Sequence, residues 1–481
     1  MKTYDLVVVG SGAGLIVLEE GLKAGLSCAL VESGNIGGTC LNKGCIPSKV
    51  MIEPADLIRE SERAERIGLR VPRAEIDWEV LSRRLWAKIG RNQDMEKSLA
   101  AAPNLALYRG TGEFTGMRRM RIRNNDGSGY SEEFEGRRIV LATGARSFVP
   151  PIAGLEETGY LTTESFFGEK FPDRPWPILV IIGGGIIAAE FAHMFSAYGT
   201  RVTVVEMLPR LLSAEEPAVG EFVLKAFRRR MSVRLESRAV SARLESGRKV
   251  VTIENTKTGA KTDIAADEIL VAVGRRSNAD LLQVEKSGVR TTKQGWIAVN
   301  EYLETNIPGI WAIGDATGVY QFRHKANADA YVCVHNIFCT PEKKKPVDYS
   351  AVPWAVYTYP QVGHVGMTEA EARAAGHEIL VAVHRYSEIA KGYAMGFEPG
   401  DEDDGFVKLV TDKSRRILGA HVVGPQAAIL VQPFVYLMTA GASCPEAGTV
   451  LPIEFSMVIH PSLSEVTGWA IENLAPVAEK T

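Results

Sequence analysis

Three observations in this 481-residue sequence predict an α/β fold of several domains, two of them built on parallel sheets. The first is a plan that occurs twice. Asp5-Leu6-Val7-Val8-Val9 leads into Gly10-Ser11-Gly12-Ala13-Gly14, and Ile178-Leu179-Val180-Ile181-Ile182 leads into Gly183-Gly184-Gly185-Ile186-Ile187-Ala188. Each reads as a buried parallel strand, a tight turn and the start of a helix. The second observation is that each repeat runs on into another apolar strand ending in an acid, Cys28-Ala29-Leu30-Val31-Glu32 and Val202-Thr203-Val204-Val205-Glu206. The third is size and composition: 481 residues exceed what one core organises, and 46% hydrophobic with 23% charged residues describes a soluble globular chain.

Taken in order, the two glycine turns are Rossmann-like. Backbone N–H groups at a helix start hold a pyrophosphate where no Cβ blocks approach, and the helix dipole favours the anion. Gly10, Gly12, Gly183 and Gly185 stand at those positions, and Glu32 and Glu206 follow at the distance that suits ribose hydroxyls. Two dinucleotides are implied. Leu15 occupies the third fingerprint position of the first turn, where close helix packing usually asks for glycine, and Ala188 occupies that of the second.

Between the repeats lies Gly37-Gly38-Thr39-Cys40-Leu41-Asn42-Lys43-Gly44-Cys45-Ile46-Pro47-Ser48-Lys49. In an unbroken helix, residues five apart are separated by about 7.5 Å along the axis and face different sides, whereas a disulfide wants its Cα atoms about 4.4 to 6.8 Å apart. Gly44 supplies the freedom to bend the chain closed. Two buried free thiols are one reading of such a pair; the Gly, Pro and Lys pattern beside a dinucleotide unit favours a thiol acting next to a flavin. Ile139 to Ala145, with Thr143 and Gly144, Ile269 to Arg275, with Gly274, and Ile310 to Asp315 are further strand-then-glycine segments where the chain passes from one nucleotide domain to another. From about residue 348 the fingerprints stop and a separate C-terminal domain is expected.

A net charge of −3 and a pI near 6.3 leave no basic footprint for nucleic acid, and Lys343-Lys344-Lys345 reads as a solvated loop. Six cysteines in so long a chain are no disulfide framework, which points to a reducing compartment, the cytoplasm, where a cystine is catalytic. The first residues enter an apolar strand at once, leaving no room for a signal peptide. Val422 to Pro445 carries no charged side chain, but its prolines and polar residues predict a buried or subunit-interface helix rather than a membrane span.

These residues resemble the class I flavin-dependent pyridine nucleotide disulfide oxidoreductases, and within that family most closely the dihydrolipoyl dehydrogenases. The cysteine motif, Ala142-Thr143-Gly144, Gly314-Asp315-Ala316, His324-Lys325-Ala326, Tyr357 to Thr368, Gly419 to Pro425 and His460-Pro461-Ser462-Leu463-Ser464-Glu465 carry the resemblance over essentially the whole chain. It implies an FAD-binding domain over 1–150, an NAD-binding domain over 151–274, a central domain over 275–347 completing the FAD site, and an α+β interface domain over 348–481 forming a homodimer. FAD would be held by Gly10, Gly12, Gly14, Glu32, Thr39, Lys49, Thr143, Gly144 and Asp315. NAD would be held by Gly183, Gly185, Glu190, Glu206 and Gly274, with Lys49 and Glu190 paired beside the flavin. Cys40 and Cys45 would form the redox disulfide, and His460, oriented by Glu465, would serve the cysteines of the other subunit. Imidazole suits that task because its ordinary pKa, about 6.5, lets it take and return a thiol proton near neutrality. No metal is implied.

Glu206 would repel a 2′-phosphate, and Met207 and Ser213 stand where NADPH-using relatives carry arginine, so NAD is expected although Arg201 and Arg210 are near. The expected activity is oxidation of dihydrolipoyl groups to lipoyl, with electrons passing to NAD⁺ through the cysteines and FAD, on a separate lipoyl-bearing carrier. Ile46-Pro47-Ser48-Lys49 and Ile186 look unlike glutathione reductase, and the tail lacks the cysteine pair of mercuric or large thioredoxin reductases. Leu15, the cation Lys43 between the cysteines, Tyr359, Gln361, Ile429 and Val458 depart from the usual pattern. They keep two alternatives in view: an NAD(P)H-dependent reductase of another small disulfide, and an electron-transferring flavoprotein subunit of a complex.

Overall fold

Leu6, Val7, Val8 and Val9 are consecutive and apolar, so their strand buries both faces and belongs inside a parallel sheet. In the computed structural model, which describes residues 1–477, strand Lys2–Val9 is flanked in parallel by Cys28–Glu32 and Phe134–Leu141. Leu105–Gly116 extends the sheet beyond Cys28–Glu32, and Ile310–Ala312 extends it beyond Phe134–Leu141. Arg119–Asn124 bridges the two arms in antiparallel fashion. The segment after residue 275 therefore returns to the first sheet and lays Gly314 and Asp315 at the carboxyl ends of its strands.

The second repeat builds its own parallel sheet, in the order Glu268–Val271, Ile178–Ile182, Arg201–Val205 and Ser232–Arg234. A three-stranded antiparallel ribbon, Ser237–Glu245, Arg248–Asn255 and Lys261–Ala266, covers it. The two glycine turns share one geometry. Gly10 has φ +104° and a Cβ there would lie 2.3 Å from the carbonyl oxygen of Ala142; Gly183 has φ +120° and a Cβ would lie 2.3 Å from that of Ala272. Only glycine tolerates both the left-handed backbone and that approach.

Helix Ile186–Ala197 is apolar nearly all round and is correspondingly buried. Its Phe191 and Phe195 share a core with Met51, Ile52, Ala55 and Ile58 of the long helix Cys45–Arg63. Arg59 donates to Ser196 Oγ at 2.9 Å and Asp56 pairs with His193 at 2.7 Å across the same seam. This packing fixes the helix that begins at Cys45 against the second nucleotide unit.

The C-terminal domain is an antiparallel sheet in the order Pro353–Val356, Val362–Gly366, Ile417–Val423, Phe406–Asp412, Ile379–Arg385 and Ala475–Pro476. The uncharged stretch after Val422 finishes a strand and then forms two short helices, Ala427–Leu430 and Gln432–Gly441. Phe434 faces the core while Ile429 and Tyr436 face out. Among the described residues no helix is long and apolar enough to cross a membrane. The last four residues of segment 348–481 lie outside the described residues.

Candidate active site

The cysteine motif is two helices broken at Lys43-Gly44. Gly38–Asn42 carries Cys40, and Cys45 is the first residue of Cys45–Arg63. The motif is pressed onto the first glycine turn: a Cβ on Gly38 would come 2.7 Å from the Cα of Gly12. Asn42 holds the first helix by donating to the carbonyls of Ile36 and Gly38, each at 3.0 Å, and accepts from Asn92 at 2.7 Å. Both cysteines are free thiols, close enough to share a hydrogen bond.

Their environments separate them. The hydrogen bond from Cys40, helped by the charge of Lys49 and the backbone at the helix start, overcomes burial and brings Cys45 down to about 6. Cys40 is driven the other way, first by that same bond and then by burial. These surroundings favour the negative charge of the reduced pair on Cys45. The cations that act on the pair are Lys49 and Arg323. A depressed pKa means that the charged form persists at lower pH: alkylation of Cys45 by iodoacetamide in the reduced protein should stay fast from neutrality down to pH about 6 and fall below it. A midpoint near that of an ordinary thiol, about 8.5, would contradict this assignment.

A cavity of about 310 Å³ runs from the first glycine turn to the cysteines, with Gly10, Gly12, Glu32, Thr39, Cys40 and Cys45 in its wall. Thr143, Gly144 and Asp315 line the same space. Gly14 sits behind the turn, where a Cβ would approach Val8 and Ala142 to within 3 Å. The close packing expected of the position occupied by Leu15 is made by Gly14 instead, which is why leucine is accommodated there.

The cavity's polar groups fit FAD. Glu32 accepts from Ser11 N at 2.8 Å and Gly34 N at 2.6 Å, so its carboxylate is aimed by the turn. A Cβ on Gly12 would meet nothing nearer than the Arg323 guanidinium at 3.8 Å, which leaves an open cradle beside a cation for a pyrophosphate. Thr143 Oγ1 is buried without a hydrogen-bond partner in the cavity wall. Asp315 is paired with Arg275 at 2.8 Å. Arg323 and Arg275 were not singled out from the sequence; Arg323 stands immediately before the His324-Lys325-Ala326 motif, the one signal that could have drawn attention to it.

Behind Asp315, Lys325 and Asp329 form a fully buried ion pair at 2.8 Å. Asp329 also accepts from Gly314 N at 2.8 Å and Tyr349 Oη at 2.7 Å, and so holds the turn that presents Asp315. Lys325→Met strands that carboxylate in the core and should cost about 3–5 kcal/mol, seen as earlier flavin release in a thermal melt. An unchanged melt would show that the pair does not support the turn.

On the second unit, Gly185 has open space where a Cβ would stand, and Gly183, Gly274 and Glu206 gather at the carboxyl ends of the strands. Glu206 accepts from Leu208 N at 2.7 Å. Glu190, on the adjoining helix, binds Lys49 through both oxygens at 2.8 Å and accepts from Tyr357 N at 3.2 Å. Lys49 also lies over the Tyr357 ring, 4.3 Å from its centre. The pair ties the cysteine helix to the second unit.

His460 is elsewhere. Its Nδ1 lies 2.5 Å from Glu465 Oε1, the second oxygen of Glu465 accepts from Ser462 N at 2.9 Å, and the carboxylate is buried while the imidazole is 63% exposed. It is not in the wall of the cavity that holds the cysteines. Phe455, Met457 and Ile459 beside it are exposed apolar side chains.

A model of the pyridine nucleotide-disulphide oxidoreductases matches residues 4–330, and that family's dimerisation-domain model matches residues 352–471. The chain belongs to this family of flavin disulfide oxidoreductases. As a pyridine nucleotide-disulphide oxidoreductase it uses FAD and NAD(P)H. It is 34% identical to a mycothione reductase of Mycobacterium tuberculosis over 98% of this chain and 100% of that protein. It is 32% identical to a dihydrolipoyl dehydrogenase of Thermus scotoductus over 97% and 96%. Among solved structures, the HOCl-induced flavoprotein disulfide reductase RclA of Escherichia coli superimposes with a TM-score of 0.81 at 27% identity, over 98% of this chain and 99% of that one.

Proposed function

We propose that this oxidoreductase is an NAD-linked dihydrolipoyl dehydrogenase, exchanging electrons between a dihydrolipoyl group and NAD⁺ through Cys40 and Cys45. The observation that supports this reading best is the thiol pair itself, Cys40 and Cys45, in the wall of the cavity whose polar groups fit FAD, with surroundings that favour the negative charge on Cys45. When bound, FAD supplies the two-electron relay between the thiols and the nicotinamide. Gly10, Gly12, Arg323 and Glu32 would hold its pyrophosphate and ribose end, and Asp315 and Thr143 its middle.

In the oxidised pair, a substrate thiolate attacks Cys40 Sγ, the Cys40–Cys45 bond breaks, and Cys45 leaves as the thiolate its surroundings favour. The second substrate thiol attacks the substrate sulfur bound to Cys40, closes the substrate disulfide and releases Cys40. His460 takes the proton of the attacking substrate thiol on Nε2, with Glu465 fixing the ring by accepting from Nδ1–H, and the proton of the second thiol goes to Cys40 as it leaves. Because His460 is exposed among apolar side chains and away from the cysteines of its own chain, the base that reaches Cys40 is proposed to come from a second copy in a homodimer. Glu206 at the ribose position favours NAD over NADP through its charge.

A second reading is favoured by specific observations. Lys43, a cation between the two cysteines in the cavity wall, suits an acidic or polar disulfide, and the mycothione reductase match spans that relative's full length. The deciding experiment compares NAD⁺ with dihydrolipoamide against NADH or NADPH with lipoamide, mycothione and glutathione disulfide. A kcat/KM highest for the lipoyl pair supports the first reading, and one at least about 10-fold higher for another disulfide, some 1.4 kcal/mol in the transition state, replaces it with the second.

A further inference from the structure

Away from the flavin cavity, three buried side chains from two domains turn donor atoms toward one another. Glu215 ends the loop before helix Pro217–Arg228 of the second nucleotide unit. His364 and His421 are register partners on the paired strands Val362–Gly366 and Ile417–Val423 of the C-terminal sheet. Their exposures are 3%, 1% and 0%. Glu215 Oε2 lies 2.9 Å from His364 Nδ1, which lies 3.3 Å from His421 Nδ1, and all three donor atoms fall within 4.8 Å of one another.

The outer ring nitrogens decide what the inner ones carry. His364 Nε2 meets the carbonyl oxygen of Gly366 at 2.9 Å and His421 Nε2 that of Met367 at 3.0 Å. A carbonyl oxygen only accepts, so both Nε2 atoms bear hydrogen, and in neutral imidazoles both Nδ1 atoms then present lone pairs. Two lone pairs and a carboxylate oxygen thus converge in a water-poor space. A proton on His364 Nδ1 serves Glu215 or His421 well but not both, whereas a cation meets all three.

We propose that Glu215, His364 and His421 form a binding site for one divalent transition-metal ion of the zinc class. Two imidazole nitrogens and a carboxylate are a donor set that Zn²⁺ takes, and bonds of about 2.0–2.1 Å at tetrahedral angles put donor atoms about 3.3 Å apart. The two observed edges, 2.9 and 3.3 Å, lie near that spacing, and the third is within 4.8 Å. The partners of the ligands are already in place: carbonyls fix both rings, and Trp354 Nε1 donates to the other oxygen of Glu215 at 2.5 Å while its ring stacks on His364 with centroids 3.6 Å apart. Such an ion would clasp the loop of the nucleotide unit to the C-terminal sheet, beside the Lys408 bridge to Glu216 at 2.6 Å and Glu369 at 2.7 Å.

The test uses the oxidised holoenzyme, whose Cys40–Cys45 disulfide offers no thiolate to a metal, after chelator treatment and titration with Co²⁺. One Co²⁺ per chain is expected, with d–d bands to the red of the flavin absorption, displaced by Zn²⁺. His364→Gln and His421→Gln should each lower metal affinity by at least about 10-fold, and Trp354→Phe by about 10-fold, at unchanged FAD content. Wild type that takes up no more Co²⁺ than His364→Gln overturns the proposal. Should the histidine variants fail to fold, anomalous scattering at the zinc edge from wild-type crystals grown with Zn²⁺ decides instead: a peak between the three side chains supports the site, and its absence refutes it.

Discussion

Cys45→Ser should keep FAD at one per chain and yet turn over on the order of 10⁴-fold more slowly or worse. The reason is that Cys45 does what a hydroxyl does not: at neutral pH it is the thiolate of the pair, lowered to about 6 by the hydrogen bond from Cys40 and the charge of Lys49. Serine keeps the volume and the helix start but neither forms the disulfide nor carries the charge. Flavin content is expected to hold because the groups that fit FAD, from Gly12 and Arg323 to Asp315, do not pass through the Cys45 sulfur. Residual turnover near wild type would mean that electrons reach the nicotinamide without the cysteine pair.

His460→Gln should lower kcat by about 10²–10⁴-fold, and mixing it with Cys45→Ser should restore activity that neither parent has. In a two-fold dimer with the base supplied across the interface, a mixed dimer has one site with both groups intact, so random exchange yields about a quarter of wild-type activity. A base acting within its own chain would leave every site defective and the mixture inactive. The exposed imidazole, its buried carboxylate and the apolar side chains Phe455, Met457 and Ile459 around it are what a base waiting for a partner surface would show.

Much of the site could be read along the chain because its chemistry is local. Gly10 and Gly183 are dictated by backbone that passes within reach of a carbonyl, and strand, turn and acid follow one another within some thirty residues. The break at Lys43-Gly44 that lets Cys40 meet Cys45 is local too. What escaped the sequence depends on the sheet closing. Arg323 reaches the cavity because Ile310–Ala312 returns to a sheet begun at residue 2, Arg275 because its strand pairs with Ala145–Ser147, and no periodicity in either segment announces it. The packing expected at Leu15 is made one residue earlier, by Gly14, a shift that a spacing rule does not register. Glu215, His364 and His421 come from positions up to about two hundred residues apart and meet only when the C-terminal sheet docks on the second nucleotide unit.

In the working enzyme sulfur must abut flavin, and anaerobic two-electron reduction of the holoenzyme followed by absorption spectroscopy tests this most directly. A long-wavelength band from the Cys45 thiolate against the flavin should arise at neutral pH, fade below pH about 6 and be missing in Cys45→Ser. A wild-type spectrum without that band, or one that Cys45→Ser reproduces, would contradict it.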